Sequence, residues 1–345
     1  LFSFNFLSHL TNFFLQFQRL INYTNKIIFM IKVVCPKCKK SLKKINLHLY
    51  CSKCESKYKV NNNLIDFIGQ KDPFYEGKFG TDRKSSSNLI VNIKHLYFLL
   101  SVFNIRLKHE KFYKCKNEKT KVLDLGCGSG NDLLKSKKCF NVVGVDLSSS
   151  SLQNAKFIYD SVFLCSCSNL PFKNNTFDYV TSFDLIGHIP KIEKMDVFKE
   201  IYRVLKPSGL TFHYIELDSS KGYNNWAKKF PKLYQKYFID QDGHFGLEDY
   251  KSILNHFSKS GFEVVHFEVL AKIIIPPGEY MKRFSNEYSE KNWKIRVLTF
   301  LDGLLSKNIF LILLSGLLLR PLQLIIEPFV SNDYGGLLFV VLKKK

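Results

Sequence analysis

The chain has 345 residues, 46% hydrophobic and 23% charged, which excludes a disordered or fibrous chain and leaves room for one large globular domain with a smaller companion. Its formal charge of +21 would ordinarily point to an anionic partner, yet only seven of the 51 basic residues are Arg. A Lys excess that travels with abundant Asn, Ile and Phe also fits an A/T-rich coding bias, so nucleic acid, anionic membrane and a solvated Lys surface all stay open.

The first Met is Met30. Residues 1–29 are rich in Phe, Leu and Asn and carry no small-residue cleavage site, which fits a translated upstream region, a membrane-seeking or targeting segment, or ordinary structure. Gln16, Gln18, Arg19 and Asn22 break the apolar run short of the ~18 to 20 residues that a membrane span needs, so the segment is left out of the fold argument.

Residues 30–70 form a Cys-rich unit. Cys35-Pro36-Lys37-Cys38 and Cys51-Ser52-Lys53-Cys54 are two knuckles 12 residues apart, the spacing at which four thiolates close around tetrahedral zinc. Four such ligands leave no open position, so the expected zinc is structural and the unit folds only with metal bound. The other five cysteines are scattered, a pattern that argues for a reducing compartment and a metal site rather than a disulfide framework. Residues 71–120 are expected to be a linker, with Ser85, Ser86 and Ser87 at a boundary, and a helix in the apolar stretch from Leu89 to Leu107.

From Lys121 onward, short apolar runs alternate with helical stretches. Strands are expected at Lys121–Leu125, Asn141–Asp146, Ser161–Cys165, Phe177–Phe183, Thr211–Glu216, Phe262–Val269 and Gly336–Leu342, with a helix around Val197–Leu205 that Lys206-Pro207-Ser208-Gly209 terminates. This is the signature of an α/β domain, a mostly parallel sheet with helices on both faces.

Val122-Leu123-Asp124-Leu125-Gly126-Cys127-Gly128-Ser129-Gly130 sets a buried strand directly before a glycine turn and a helix. Such a turn lets backbone approach a ligand closely. About 20 residues on, Asp146 ends the next strand, where a carboxylate can accept both ribose hydroxyls. A dinucleotide loop would require Gly at position 131, and the chain has Asn131.

With Asn169-Leu170-Pro171-Phe172, Phe177-Asp178-Tyr179-Val180 and Glu200-Ile201-Tyr202-Arg203-Val204-Leu205-Lys206-Pro207-Ser208-Gly209 following in order, residues 121–216 resemble the class I S-adenosylmethionine-dependent methyltransferases, particularly the group that includes the ubiquinone and menaquinone biosynthesis enzymes. The resemblance implies a Rossmann-like seven-stranded sheet and S-adenosyl-L-methionine as cofactor. It also implies a binding set: Asp124, Gly126, Gly128 and Gly130 at the methionine end, Asp146 at the ribose, Ser166 and Cys167 at the adenine, and Cys127, Leu147 and Ser182 beside them. Ser166 stands where the family often has Asp, and accepts a hydrogen bond more weakly. Asp178 and Arg203 are expected to stabilise the sheet edge.

Methyl transfer from a sulfonium chiefly requires alignment and, for some acceptors, removal of a proton. His188 and Asp184, at the exit of the fourth strand, are the candidate base and acceptor-orienting groups, and His213 and Glu216 could reach the pocket mouth. No N/D-P-P-Y/F stands there, as in amino-methylating DNA and glutamine enzymes, nor a Pro-Cys, as in cytosine C5 enzymes. Cys165 and Cys167 read as structural.

An insertion at about 276–332 contains the apolar stretches Ile309–Leu319 and Leu322–Ile326, interrupted by Arg320-Pro321 and preceded by Lys291, Lys294, Arg296 and Lys307. Too short to span a bilayer, it suits a buried lid, a dimer helix or a peripheral membrane contact through 309–326.

The expected protein is therefore a cytoplasmic enzyme, with peripheral membrane contact open, that joins a zinc ribbon to a methyltransferase domain at 121–345. A small-molecule or lipid-linked acceptor leads. RNA is the alternative acceptor, because certain ribosomal-RNA guanine methyltransferases carry an N-terminal zinc module that helps grip RNA. A catalytically silent binding module is the other alternative.

Overall fold

The computed structural model describes residues 32–61, 64–70, 72–79, 111–115, 120–130, 139–221, 225, 227–273, 293, 297, 300 and 325–345. The leader at 1–29, the apolar stretch from Leu89 to Leu107 and most of the insertion at 276–332, including 309–324, lie outside the described residues. No described helix is long and apolar enough to cross a membrane.

Seven strands make the central layer: β5 (Thr120–Leu125), β6 (Phe140–Asp146), β7 (Ser161–Leu164), β8 (Phe177–Phe183), β9 (Leu205–Glu216), β10 (Phe262–Leu270) and β11 (Leu337–Lys344). Their order is β7-β6-β5-β8-β9-β11-β10, parallel except for β11, which runs antiparallel between β9 and β10. β5 and β6 read as continuous apolar runs because both faces are covered. Leu123, Leu125, Val143 and Val145 pack toward α3 (Lys194–Val204) and α4 (Tyr250–Lys259), while Val122 and Val142 pack on the other face with Leu152 and Ala155 of α2 (Ser149–Ala155).

The expected strands are present, but β9 starts at Leu205 instead of Thr211. α3 ends at Val204, before Lys206–Gly209, which does not terminate the helix but forms a left-handed excursion inside the strand, with Ser208 at φ 58. That excursion shifts the register between Phe177↔Leu205 and Tyr179↔Leu210.

The ribbon does not stand apart. β1 (Lys43–Ile45), β2 (His48–Tyr50), β3 (Lys57–Asn61) and β4 (Leu64–Asp66) form an antiparallel meander, and β4 pairs in parallel with β7, so one sheet of eleven strands runs through both units. Tyr58 and Phe67 pack against each other at 5.0 Å, and Phe67 reaches Phe163 at 6.4 Å. Burying each such ring contributes about 1.5–3 kcal/mol to the junction. Beside it, Lys39 Nζ donates to Glu200 Oε2 at 2.9 Å and to the Leu170 carbonyl at 3.2 Å. Glu200 also accepts the Leu170 N–H at 2.8 Å and the Arg203 guanidinium at 2.6 Å. Arg203 and Asp178, which accepts the Lys121 N–H and the Lys206 ammonium, thus brace the sheet as expected.

The scattered cysteines gave no hint of one pairing. Cys115 and Cys139 are joined in a disulfide with Cα atoms 6.0 Å apart, while the four knuckle cysteines stay free.

Burial alone would raise the Glu200 carboxyl, but the Arg203 and Lys39 hydrogen bonds outweigh it and hold the group below the ordinary carboxylate range. Its contribution is therefore present above the unfolded carboxylate pKa of about 4.3 and is lost as pH falls through the lower folded value. Glu200→Gln is expected to cost about 2 kcal/mol in urea unfolding at pH 7, at the modest end for charged hydrogen bonds because the Lys39 side chain is 31% exposed. The gap between variant and parent should narrow as the solution is acidified.

Candidate active site

The site is built where β5 and β8 lie side by side and the chain changes direction across the sheet, the crevice in which open α/β folds bind ligands. Gly126 follows β5 at φ 61, and a Cβ there would lie 2.8 Å from Leu185 Cδ1. Only glycine allows both the backbone conformation and the contact with the β8 exit.

Asp146 ends β6 at the rim of this turn. Its Oδ2 accepts the Gly128 N–H and its Oδ1 the Ser148 N–H, each at 2.8 Å, so the carboxylate is fixed and each oxygen keeps a further lone pair. Burial pushes this carboxyl above the ordinary range, with the two N–H bonds pulling the other way. Asp124 is 2% exposed and accepts the Tyr159 hydroxyl at 2.6 Å, which places it under the turn as a brace. Cys127 is buried, and its N–H donates to the Val145 carbonyl at 3.0 Å.

After β7, Ser166 Oγ lies 2.8 Å from Ser168 Oγ and accepts the Ser168 N–H at 3.2 Å, so its hydroxyl is engaged within its own turn. Cys165 is buried, and burial, reinforced by the Asp146 charge, pushes the Cys167 thiol up to about 12. Leu147 lines a cavity of about 410 Å³ together with Ile68, Gln70, Asp72 and Pro73.

That cavity brings in an element assigned to the linker, α1 (Pro73–Phe79). Glu76 accepts the Ser149 N–H at 2.7 Å and the Ser150 hydroxyl at 2.7 Å, clamping α1 over the start of α2. Burial raises the Tyr75 phenol to about 12, and the nearby Asp72, Glu193 and Asp146 charges add to the shift. Phe74 meets Phe245 edge-on at 5.5 Å. A signal for this helix was available: Asp72 Oδ1 accepts the Phe74 N–H at 2.9 Å and Pro73 opens the helix, the Asp-then-Pro start that caps a first turn.

At the β8 exit, Asp184 is exposed with φ 55, and its N–H donates to the Tyr214 carbonyl at 3.1 Å. The Ser182 hydroxyl turns into the sheet, 2.7 Å from His213 Nδ1, leaving the backbone of Ser182 nearest the cleft. His213 does not reach the pocket mouth. It is fully buried and stacked on Phe257 at 5.3 Å, and burial lowers its pKa to about 3.

Glu216 ends β9 and meets two histidines. His188 Nε2 lies 3.5 Å and His244 Nε2 2.7 Å from Glu216 Oε2, while His188 Nδ1 is 3.0 Å from the Gly243 carbonyl. The loop carrying His244 is held tightly. The Gly246 N–H donates to the Gly187 carbonyl at 3.0 Å, and a Cβ on Gly246 would fall 1.7 Å from the Ile189 oxygen. The buried Lys194 ammonium bonds the Gly246 carbonyl and, at 2.8 Å, Glu248.

The four knuckle cysteines converge. Cys35 and Cys54 Sγ are 3.4 Å apart, as are Cys38 and Cys51, and all four lie within 4.8 Å of one another. Tetrahedral zinc with Zn–S bonds near 2.3 Å sets sulfurs about 3.8 Å apart, so the cluster fits zinc with a small outward relaxation. Each knuckle closes on a residue in the left-handed region, Lys39 at φ 58 and Glu55 at φ 56. The Tyr58 hydroxyl lies 3.2 Å from Cys35 Sγ, where it can orient the ligand from outside.

The sheet order, the glycine turn under Leu185 and the rim carboxylate define a Rossmann-like methyltransferase fold. Residues 122–209 match the methyltransferase domain family. The chain is 32% identical over 188 residues to a ubiquinone/menaquinone biosynthesis C-methyltransferase of Rickettsia akari (strain Hartford), covering 50% of this chain and 73% of that protein. It is 31% identical over 182 residues to 24-methylenesterol C-methyltransferase 2 of Arabidopsis thaliana, covering 46% of this chain and 45% of that protein. It thus spans less than half the length of that plant relative. Among solved structures, a Haemonchus contortus phosphoethanolamine N-methyltransferase 2 complex superposes with a TM-score of 0.46 at 19% identity, over 79% of this chain and 59% of that one. The chain belongs to the class I S-adenosylmethionine-dependent methyltransferases.

Because burial keeps the Cys167 thiol protonated, iodoacetamide at pH 8 is expected to leave Cys167 unmodified in the folded protein and to alkylate it only after denaturation. Peptide mapping by mass spectrometry reads the difference.

Proposed function

We propose that this protein transfers a methyl group from S-adenosylmethionine to a small-molecule or lipid-linked acceptor. The observation that carries the reading is the Asp146 carboxylate, clamped by the Gly128 and Ser148 N–H groups at the rim of the glycine turn. In this reading Asp146 accepts the ribose hydroxyls and the Gly126–Gly130 backbone cradles the methionine end. Leu147 and Cys167 border the adenine, and Tyr75 covers the cleft. The bound sulfonium supplies an electrophilic methyl group.

The chain's own residues then have to exclude water and align the acceptor. Phe74 and Phe245 join the cofactor end to the acceptor end, where His188, Glu216 and Asp184 orient the incoming group. The relatives are named for sterol, ubiquinone or menaquinone, and phosphoethanolamine methylation, acceptors that are small or lipid-linked. Docking of the ribbon through β4 and Lys39 supports a structural part for residues 30–70 beside the transferase domain at 121–345.

Asp146→Ala removes charged hydrogen bonds worth about 3 kcal/mol and is expected to weaken S-adenosylmethionine binding by roughly 100-fold in calorimetry. Wild-type protein that shows no binding heat at millimolar cofactor would sink the enzyme reading. Incubation with methyl-labelled cofactor and cell extract then identifies the acceptor class. Label in the organic phase supports the lipid-linked reading, and label in ribonuclease-sensitive material overturns it.

A further inference from the structure

His188, Glu216 and His244 form a cluster whose geometry points past simple hydrogen bonding. The Gly243 carbonyl is only an acceptor, so His188 Nδ1, 3.0 Å away, carries a proton and donates it. In neutral imidazole that leaves Nε2 with a lone pair, aimed at the Glu216 carboxylate from 3.5 Å. A divalent ion set between that lone pair and the carboxylate would bind both.

The geometry favours the metal. Ligand atoms from three separate segments converge within 4.8 Å: the turn after β8, the last residue of β9 and the Gly243–Glu248 loop. Zinc with bonds of about 2.0–2.1 Å places tetrahedral ligands about 3.3 Å apart. Glu216 Oε2 stands 2.7 Å from one imidazole and 3.5 Å from the other, so the observed spacings bracket that value. The Gly243 carbonyl supplies the outer-shell acceptor that metal-bound histidines usually have. Support comes also from the loop, whose Gly246 has no room for a side chain and whose carbonyl is held by Lys194.

We propose that His188 Nε2, His244 Nε2 and Glu216 Oε2 bind one divalent transition-metal ion, zinc or a neighbour in the series. Two imidazoles and a carboxylate suit these ions, and three protein ligands leave a position open, unlike the closed four-cysteine site. On the transferase reading, on which this role rests, the open position takes an oxygen of the methyl acceptor. His188 then acts as a ligand in place of a proton acceptor.

The test uses the full chain, loaded with zinc at the cysteine site and then titrated with Co2+. Metal content after gel filtration and the visible spectrum are both read. A second metal equivalent is expected, with ligand-field bands and no thiolate charge-transfer band, and Cys38→Ser should leave it in place. His188→Gln and Glu216→Gln should each weaken it by more than about 100-fold, beyond the loss typical of an outer-shell partner, with an unchanged thermal transition. His188 carries the test because its side chain is 14% exposed, whereas His244 is 6% exposed and its replacement risks the fold. A single equivalent in the wild type, or a second one that survives both variants, overturns the proposal. Calorimetry with S-adenosylmethionine on the same samples separates the two readings. Cofactor binding without a second metal defeats the metal site alone, and a second metal without cofactor binding defeats the transferase reading alone.

Discussion

The contact on which the site depends is the one between Gly126 and Leu185. β5 and β8 are hydrogen-bonded neighbours from Val122↔Tyr179 to Leu125↔Ser182, so their ends emerge at the same level. The chain leaves β5 through a left-handed glycine with Leu185 packed against it. That close approach sets the distance between the turn that faces a cofactor and the segment that carries Asp184 and His188. Asp146 extends the same unit sideways by holding the Gly128 N–H. A displacement at the glycine turn is therefore passed through Leu185 to the segment that carries Asp184 and His188.

The ribbon solves a different problem with the same sheet. A unit of four short strands has too few apolar residues for a core of its own and relies on a neighbour. Here the neighbour is β7, which β4 joins in parallel, while Tyr58 and Phe67 complete a cluster that includes Phe163 and Phe172. Glu200 adds a polar tie by serving Lys39, Arg203 and the Leu170 N–H together. The four-cysteine unit thus covers an edge of the sheet that leads directly to the Cys165–Asn169 turn.

What could be seen in the sequence follows from how each signal arises. The strands were visible because burial on both faces writes continuous apolar runs, and the knuckles because metal geometry fixes cysteine spacing. His213 was misplaced for a reason the strand period could have exposed. Positions 213 and 216 have opposite parity on β9, so both cannot face one pocket from regular strand positions. Burial follows the same rule, with His213 against Phe257 and Glu216 at the cleft. His244 was invisible because it lies 56 residues beyond His188 in a loop with no periodic pattern, and only tertiary contact through Gly187 and Gly246 brings the two together. Helix α1 was legible in its Asp72-Pro73 start but was passed over inside a stretch read as a linker. Cys115 and Cys139 carried no spacing signal at all.

The division between legible and illegible parts also divides the chemistry. Residues proposed to bind the shared cofactor lie on strand ends and tight turns, where local sequence dictates local geometry. Those proposed for the acceptor end come from the β8 exit, the last residue of β9 and the segment that follows β9, joined by tertiary contacts. Function in such folds resides in grafted sites, and here the segment after β9 is tied to itself by the Asp218 N–H on the Glu248 carbonyl and to the turn after β8 by the Gly246 N–H on the Gly187 carbonyl. Because that segment supplies His244 and Phe245 while the turn after β8 and the end of β9 supply His188 and Glu216, changes in the loop can alter the proposed acceptor end without disturbing the sheet. The rigidity that Gly246 and Lys194 impose on the loop is what would let a site of such mixed origin keep a fixed geometry.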